Sequence, residues 1–471
     1  MRFLRRRPAT VGPRFEVVDR TRLFEPLSPG FVAVDEQPGS ADGLVRSEYS
    51  PPAPFVTVEV ALGSGPGTTV AGLAAANGDH LLGFHDPTTN EAGLELSVAG
   101  TTTVLRHRHL RHHPKRMALV LLENRPTVLM DFGNGWRPAF IDRDRVRPRI
   151  DFRDPATLVR FTAAWGSRGG TTDLATARAG LFGMAGMRDL HLVQHADGSP
   201  YVSDGRLFLT ATCSGLGFFQ QAHWGVFSLD AAALAEGRLE LEQTGHLFSH
   251  RDGLLLGDHA GQLVRGGDRW LVAVSSWGDF TPQSRIVVRH TDSTDDLLHG
   301  AHVLETEVAP IPTSNGHYDP GMTRIDGRWY VSYVESVGHQ PSDFHPGLAV
   351  GPAGATHWTE GLERVGQDAS LHQTEGPILA QPSGPDTDWL MLASDGHERC
   401  YRAYDLGMKE VGRLDAPYGS NIPHPMVFDL PASFGGGRFL ITFDGTPYAE
   451  KKLRYGTHGD VILMRATPAG G

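Results

Sequence analysis

The chain has 471 residues with 57 glycines and 32 prolines, 40% hydrophobic content and a formal net charge of −11. That length points to two domains, or to one large β domain with an extension, and the apolar share excludes wholesale disorder. The acidic balance offers no dominant basic face for nucleic acid, the two cysteines Cys213 and Cys400 exclude a disulfide scaffold, and no run of about 18 apolar residues is present to cross a membrane.

In chain order, residues 1–50 read as an irregular extension rich in Pro, Gly and charge. The basic start "MRFLRRRPAT" lacks an apolar stretch behind it, so no secretory signal is expected. The expected location is therefore cytoplasmic, unless a leader has been removed. From Phe55 the pattern becomes strand-like: "FVTVEVALG", "HLLGFHD", "LELSVAG" and "MALVLLENRPTVLMDFG" are short alternating runs separated by turn residues. This spacing predicts a β-sandwich over residues 51–170. The cluster "RHRHLRHHPKR" (Arg106 to Arg116) reads as a solvated strand and loop. "DPATLVRFTAAWG" predicts a helix with Asp154 as N-cap and Pro155 in its first turn. "GSRGGTTD" (Gly166 to Asp173) then reads as a domain joint.

Residues 171–471 carry an internal repeat. Five segments align on a common strand: "GRLFLTAT", "DRWLVAVSSW", "GRWYVSYVES", "TDWLMLASDG" and "GRFLITFDGT". Each follows a short strand and a turn, and each precedes a third strand, as in "WGVFSLD" and "GDVILMR". Five such units, none able to bury its faces alone, predict an all-β fold: the sandwich followed by a five-bladed β-propeller.

In a propeller the first strand of each blade lines the axis. Asp319 lies seven residues before the turn residue Asp326 (326 − 319 = 7), and Asp197 lies seven before Asp204 (204 − 197 = 7). Glu375 and His424 take the same entry in the fourth and fifth units, and the second offers Asp258 or His259. Several carboxylates in one funnel suit glycoside hydrolysis, in which one acid protonates the leaving oxygen and one carboxylate activates water or attacks carbon. Crowding and desolvation keep the acid protonated near neutrality. Trp224, Trp277, Phe280, His317, Tyr318, His372 and His397 are candidates for stacking on sugar or hydrogen-bonding its hydroxyls.

These motifs resemble the five-bladed propeller glycosidases, above all glycoside hydrolase family 43, which act mainly as arabinofuranosidases, arabinanases and xylosidases. The resemblance covers about residues 185–470 and rests on Glu375-Gly376-Pro377, Asp319-Pro320 and the chain order of the acids. It implies Glu375 as general acid, Asp319 as the residue that tunes it, and Asp197 as base, with Asp189 in "MRDLHLVQ" as a rival base. It also implies a carbohydrate substrate and one structural Ca2+ or Na+ on the axis near His424; from the residues themselves, Asp258, His259, Trp277, His317, His372 and His397 are expected to bind that substrate. Two departures stand out: Asp197 precedes Gly198 rather than Pro, and the sandwich, similar to concanavalin or laminin-G modules, comes before the propeller. "FRDP" (Phe152 to Pro155) matches a motif of the fructan-cleaving family 32, but its position in a helical stretch makes Asp154 a cap. The reading is an inverting glycosidase acting on furanosides or pentose-containing oligo- and polysaccharides. Its alternatives are a retaining fructofuranosidase or transglycosylase, and a non-catalytic glycan-binding propeller.

Overall fold

The computed structural model describes residues 9–217, 219–445 and 459–467. Its described residues are almost entirely β, with only two short α-helices, Pro155–Leu158 and Ala231–Ala235. No helix among them is long and apolar enough to cross a membrane.

The second half is built from antiparallel four-stranded units. The first joins Met187–Leu192, Arg206–Cys213, His223–Asp230 and Leu241–Arg251. The second joins His259–Gly266, Arg269–Ser275, Val288–Ser293 and Glu307–Val308. The third joins Gly316–Ile325, Arg328–His339, Ser342–Val350 and Glu363–Gln367. The fourth joins Thr374–Ala380, Leu390–Asp395, Cys400–Tyr404 and Glu410–Asp415. The fifth has three late strands, Met426–Asp429, Arg438–Asp444 and Asp460–Ala466. The inner strands of the first and third units are buried almost throughout: Met187–Leu192 exposes no residue and Gly316–Ile325 only Arg324. Val, Ile, Leu and aromatic residues dominate second strands such as Arg269–Ser275 and Arg438–Asp444, whose faces are both covered.

The fourth strand of the fifth unit is the first strand of the chain. Thr10–Thr21 pairs antiparallel with Asp460–Ala466, and its start runs parallel to Glu410–Asp415 of the fourth unit. It thus joins the last two units into one eight-stranded sheet. This corrects the irregular reading of residues 1–50, which also contain the strands Val32–Glu36 and Gly39–Arg46. Phe15, 1% exposed, is the strand's anchor in the shared core. Burying one such side chain is worth about 1.5–3 kcal/mol, and removal of the strand also strips the partners from the edge of Asp460–Ala466. A chain lacking residues 1–21 is expected to melt well below the full chain and to aggregate, as calorimetry and light scattering would show. An unchanged melting temperature would show that this strand does not hold the last unit closed.

Residues 32–181 contribute an eleven-stranded sheet. Strand Phe161–Leu181 runs through both of its halves, pairing first with Thr68–Ala75 and then with Phe55–Leu62. The two halves enclose one apolar cluster that includes Val58, Leu73, Leu94, Leu119 and Trp165. Gly166 to Asp173 therefore lies inside a strand and is not a joint. Its glycines supply the bend: Gly166 has φ 155, and a Cβ there would stand 2.0 Å from the Gly43 carbonyl. The helix expected over Asp154 to Gly166 is only Pro155–Leu158, capped by Asp154 through the Ala156 amide at 3.0 Å. Asp154 is thus a helix cap.

This sheet packs on the first two units. Phe55 stacks on Phe248 with centroids 5.2 Å apart. Glu123, at a turn with φ 55, reaches the Gly257 amide at 3.4 Å. Burial pushes its carboxyl up to about 8 even though Arg153 draws it down. Among the remaining sequence candidates, Cys213 is buried, and burial pushes its thiol well up; burial raises the Cys400 thiol to about 11. Both are inert as nucleophiles at neutral pH.

Candidate active site

The innermost strands of the first four units share one irregularity. Their pairing slips between Arg188 and His191, His259 and Gly261, Tyr318 and Gly321, and Glu375 and Ile378. Within each slip one residue has positive φ: Asp189 at 53, Ala260 at 54, Asp319 at 51 and Gly376 at 58. A left-handed non-glycine residue costs roughly 1–2 kcal/mol, and such bulges re-aim side chains beside functional sites. The repeat is therefore in register as Arg188, His259, Tyr318 and Glu375, followed by Asp189, Ala260, Asp319 and Gly376. Gly376 is dictated by its surroundings as well as by φ, because a Cβ there would stand 2.3 Å from Cγ of His424.

This register replaces Asp197 with Asp189. The first unit's inner strand ends at Leu192, and an excursion containing Gln194–His195 and Val202–Ser203 follows before the next strand. Asp189 consequently lies 15 residues before Asp204 (204 − 189 = 15), against seven for Asp319. Asp197 sits in that excursion, where it accepts the Ser199 amide at 3.0 Å and the Ser199 hydroxyl at 2.6 Å. It lines a separate depression with Trp389 and Phe428.

Asp189, Asp319 and Glu375 meet at the floor of a cavity of about 550 Å³. Arg188 bridges two of them: its Nε donates to Asp189 Oδ1 and its terminal Nη2 to Glu375 Oε2, each at 3.1 Å. The guanidinium is itself seated over the Phe443 ring, 5.0 Å from its centroid. Thr212 Oγ1 donates to Asp189 Oδ2 at 2.7 Å. Asp319 Oδ2 accepts the Gly376 amide at 3.0 Å, and the Asp319 amide donates to Ser275 Oγ at 2.9 Å. Nε2 of His424 lies 3.3 Å from both Asp189 Oδ1 and Asp319 Oδ2.

The three carboxyls differ in proton affinity. Burial works to raise Asp189, but Arg188, His424 and the Thr212 hydroxyl outweigh it and hold the group at about 2. Burial raises Glu375 to about 7, with the Asp189 charge adding to it and Arg188 opposing it. Asp319 is driven well above the carboxylate range by burial and by the neighbouring Asp189 and Glu375. His424 is lowered to about 4 by burial, so it is neutral near pH 7. The cluster thus pairs a carboxyl held low, Asp189, with a carboxyl raised toward neutrality, Glu375. Arg188→Lys keeps the charge but cannot fork between two carboxyls. Asp189 should then titrate higher, bringing an acid limb into the measurable pH range of kcat/KM while melting temperature changes little. An unmoved profile would deny Arg188 this role.

The cavity walls are aromatic. Trp277 meets Tyr318 edge-to-face with centroids 5.1 Å apart, and Tyr318 meets Phe344 at 5.6 Å. The Tyr318 hydroxyl is buried without a hydrogen-bond partner. His259 also lines the cavity, stacked on Trp277 at 6.3 Å. Of the other expected binding residues, Asp258 is locked on Arg251 at 2.7 Å and does not line this cavity. His317 accepts the Val288 amide at 3.0 Å within the third unit's core. Trp224 packs in the core between the first two units. His397 is exposed beyond Asp395, and His372 is exposed against Asp343 at 2.7 Å. Arg188 was missed, although its place one residue before Asp189 corresponds to Glu375 before Gly376.

No family model matches this chain, and no curated protein does. Among solved structures it is similar to a family 117 glycoside hydrolase from Zobellia galactanivorans, at 11% identity over 59% of this chain and 84% of that one, with TM-score 0.40. It is also similar to a GH43_1 enzyme from Xanthomonas citri, at 15% identity over 59% and 89%, with TM-score 0.41. An α-L-arabinanase from Penicillium chrysogenum, complexed with arabinobiose, aligns at 11% identity over 96% and 99%, with TM-score 0.39.

Proposed function

We propose that the chain is a glycoside hydrolase whose five four-stranded units are the blades of a propeller, joined to an N-terminal concanavalin-like sandwich. The observation that carries this is one guanidinium bridging an ionised carboxylate and a protonatable one at the floor of an aromatic-walled cavity. Glu375 gives its proton to the glycosidic oxygen as the bond to the anomeric carbon breaks. Asp189 takes a proton from the water that attacks that carbon from the other side. Asp319, neutral and fixed by the Gly376 amide, orients Glu375 and limits how much negative charge the floor holds. Trp277, with Tyr318 packed edge-to-face behind it, offers an apolar face to a sugar ring.

The substrate class we infer is a furanoside or pentose-containing oligosaccharide, cleaved with inversion. A hydrated Ca2+ or Na+ on the axis belongs to the same reading. His424 would hold it only through its water shell, a bare ring nitrogen accepting from a bound water, since both nitrogens are buried without a hydrogen-bond partner, and the ion would add positive potential beneath the acids. The test is hydrolysis of arabinofuranosides, xylosides and fructans, with the anomer of the first product followed by NMR. No turnover on any glycoside would overturn the reading, and a retained anomer would make Asp189 a nucleophile.

A further inference from the structure

One wall of the cavity carries a second converging set of side chains on its outer side. Along Ser342–Val350 successive residues face opposite ways, so Ser342 and Phe344 line the cavity while Asp343 and His345 turn from it. Asp343 Oδ1 lies 2.8 Å from His345 Nε2 and 2.7 Å from His372 Nδ1. One ligand atom from each of the three residues falls within 4.8 Å of the others. His345 is buried and His372 is exposed, so the group opens to solvent on one side. It also ties two segments together: the Phe344 amide donates to the His372 carbonyl at 3.3 Å, and Phe344 bridges to Gln373.

We propose that Asp343, His345 and His372 form a binding site for a divalent transition-metal ion of the zinc class. Two imidazoles and one carboxylate are the donor set such ions prefer, whereas calcium and magnesium take oxygen. At tetrahedral metal–ligand distances of about 2.0–2.1 Å, neighbouring ligand atoms stand about 3.3 Å apart, so Asp343 need move from its 2.7 and 2.8 Å contacts by only about half an ångström, and all three ligand atoms already lie within 4.8 Å. Without metal, both ring nitrogens point N–H groups at the same Oδ1. On binding, His345 presents Nε2 and His372 presents Nδ1 as lone pairs, their protons residing on the other ring nitrogens. Asp343 stays ionised, and no net proton leaves. The fourth position faces solvent beside His372. The ion touches no reacting atom. It pins Phe344 and Gln373, two positions before Glu375, against the cavity, and the proposal does not depend on the chain's being a glycosidase.

The test is a Co2+ titration of the chelator-treated full chain, followed by visible absorption, with Zn2+ as competitor. One equivalent should bind and be displaced by Zn2+. His372→Ala, a change at an exposed side chain, should weaken binding at least about ten-fold, and Asp343→Asn should do the same. Cys400→Ser should change nothing, which separates this site from the Asp395, Glu398 and Cys400 group. Zn2+ should raise the melting temperature of the unaltered chain and leave that of His372→Ala unmoved. Absence of saturable uptake at micromolar metal, equal affinity in His372→Ala, or loss in Cys400→Ser alone would each overturn the proposal.

Discussion

Glu375→Gln is expected to lower kcat/KM on unactivated glycosides by about 10²–10⁴. The loss should be far smaller on nitrophenyl glycosides, whose leaving group departs without a proton. Glutamine keeps the shape and the contact to Arg188 but has no acidic proton to give. Because Glu375 titrates at about 7, the unaltered chain should lose activity as pH rises through that value. The residual activity of the variant should show no such limb. The same shift makes a prediction about stability. The folded-state pKa lies above the ordinary 4.5, so this group's contribution to stability is fully present below 4.5 and is lost as pH rises through about 7. Glu375→Gln removes that loss, so the variant should melt above the unaltered chain at pH 8 and level with it at pH 4. Calorimetry at the two pH values checks this. A variant that is fully active on natural glycosides, or less stable than the unaltered chain at pH 8, would remove Glu375 from the role of acid. The trade of stability for a usable proton is common at sites that bury carboxyls.

The parts of this molecule that were legible in its sequence are those whose signal is local. Asp-Gly turns between alternating runs mark the repeat, as at Asp204 and Asp326, both with positive φ. Asp319-Pro320 and Glu375-Gly376-Pro377 mark two of the three acids, because a left-handed bulge residue followed by proline is a short-range device. What was not legible depends on distant partners. Thr10–Thr21 pairs with residues 401 or more positions away and buries only Phe15, so it carries no apolar alternation that would identify a strand. Gly166 to Asp173 looks like a linker because its glycines serve a bend inside a strand, and composition does not separate the two uses. Asp258 and His317 lie off the cavity lining for another reason. An ionisable residue at a strand entry either faces the axis or finds a buried partner, and Arg251 and the Val288 amide are partners only three-dimensional packing supplies.

The sharpest difference between the sequence reading and the structure concerns the base, and it yields the second large effect. Asp189→Asn should lower kcat/KM by about 10²–10⁴, while Asp197→Asn should leave it within about two-fold. Both substitutions keep side-chain size, so the contrast isolates the carboxylate. Asp189 is buried, accepts from Arg188 and Thr212, and is held ionised down to about 2. It is a carboxylate with its charge fixed at the cavity floor. Asp197 holds only its own turn through Ser199, and its replacement by asparagine preserves an acceptor for that turn. Asp189→Asn also takes one of its two carboxylate partners from the buried Arg188, so both variants are compared by melting temperature to exclude misfolding. Azide supplies a nucleophile that needs no deprotonation, so it should restore turnover to Asp189→Gly as a glycosyl azide forms at the anomeric carbon. It should restore none to Glu375→Gln on unactivated substrates, where the missing step is protonation of the leaving oxygen. If Asp197→Asn is the variant that fails and Asp189→Asn keeps full activity, the seven-residue register holds, and the shared bulge is a device of folding alone.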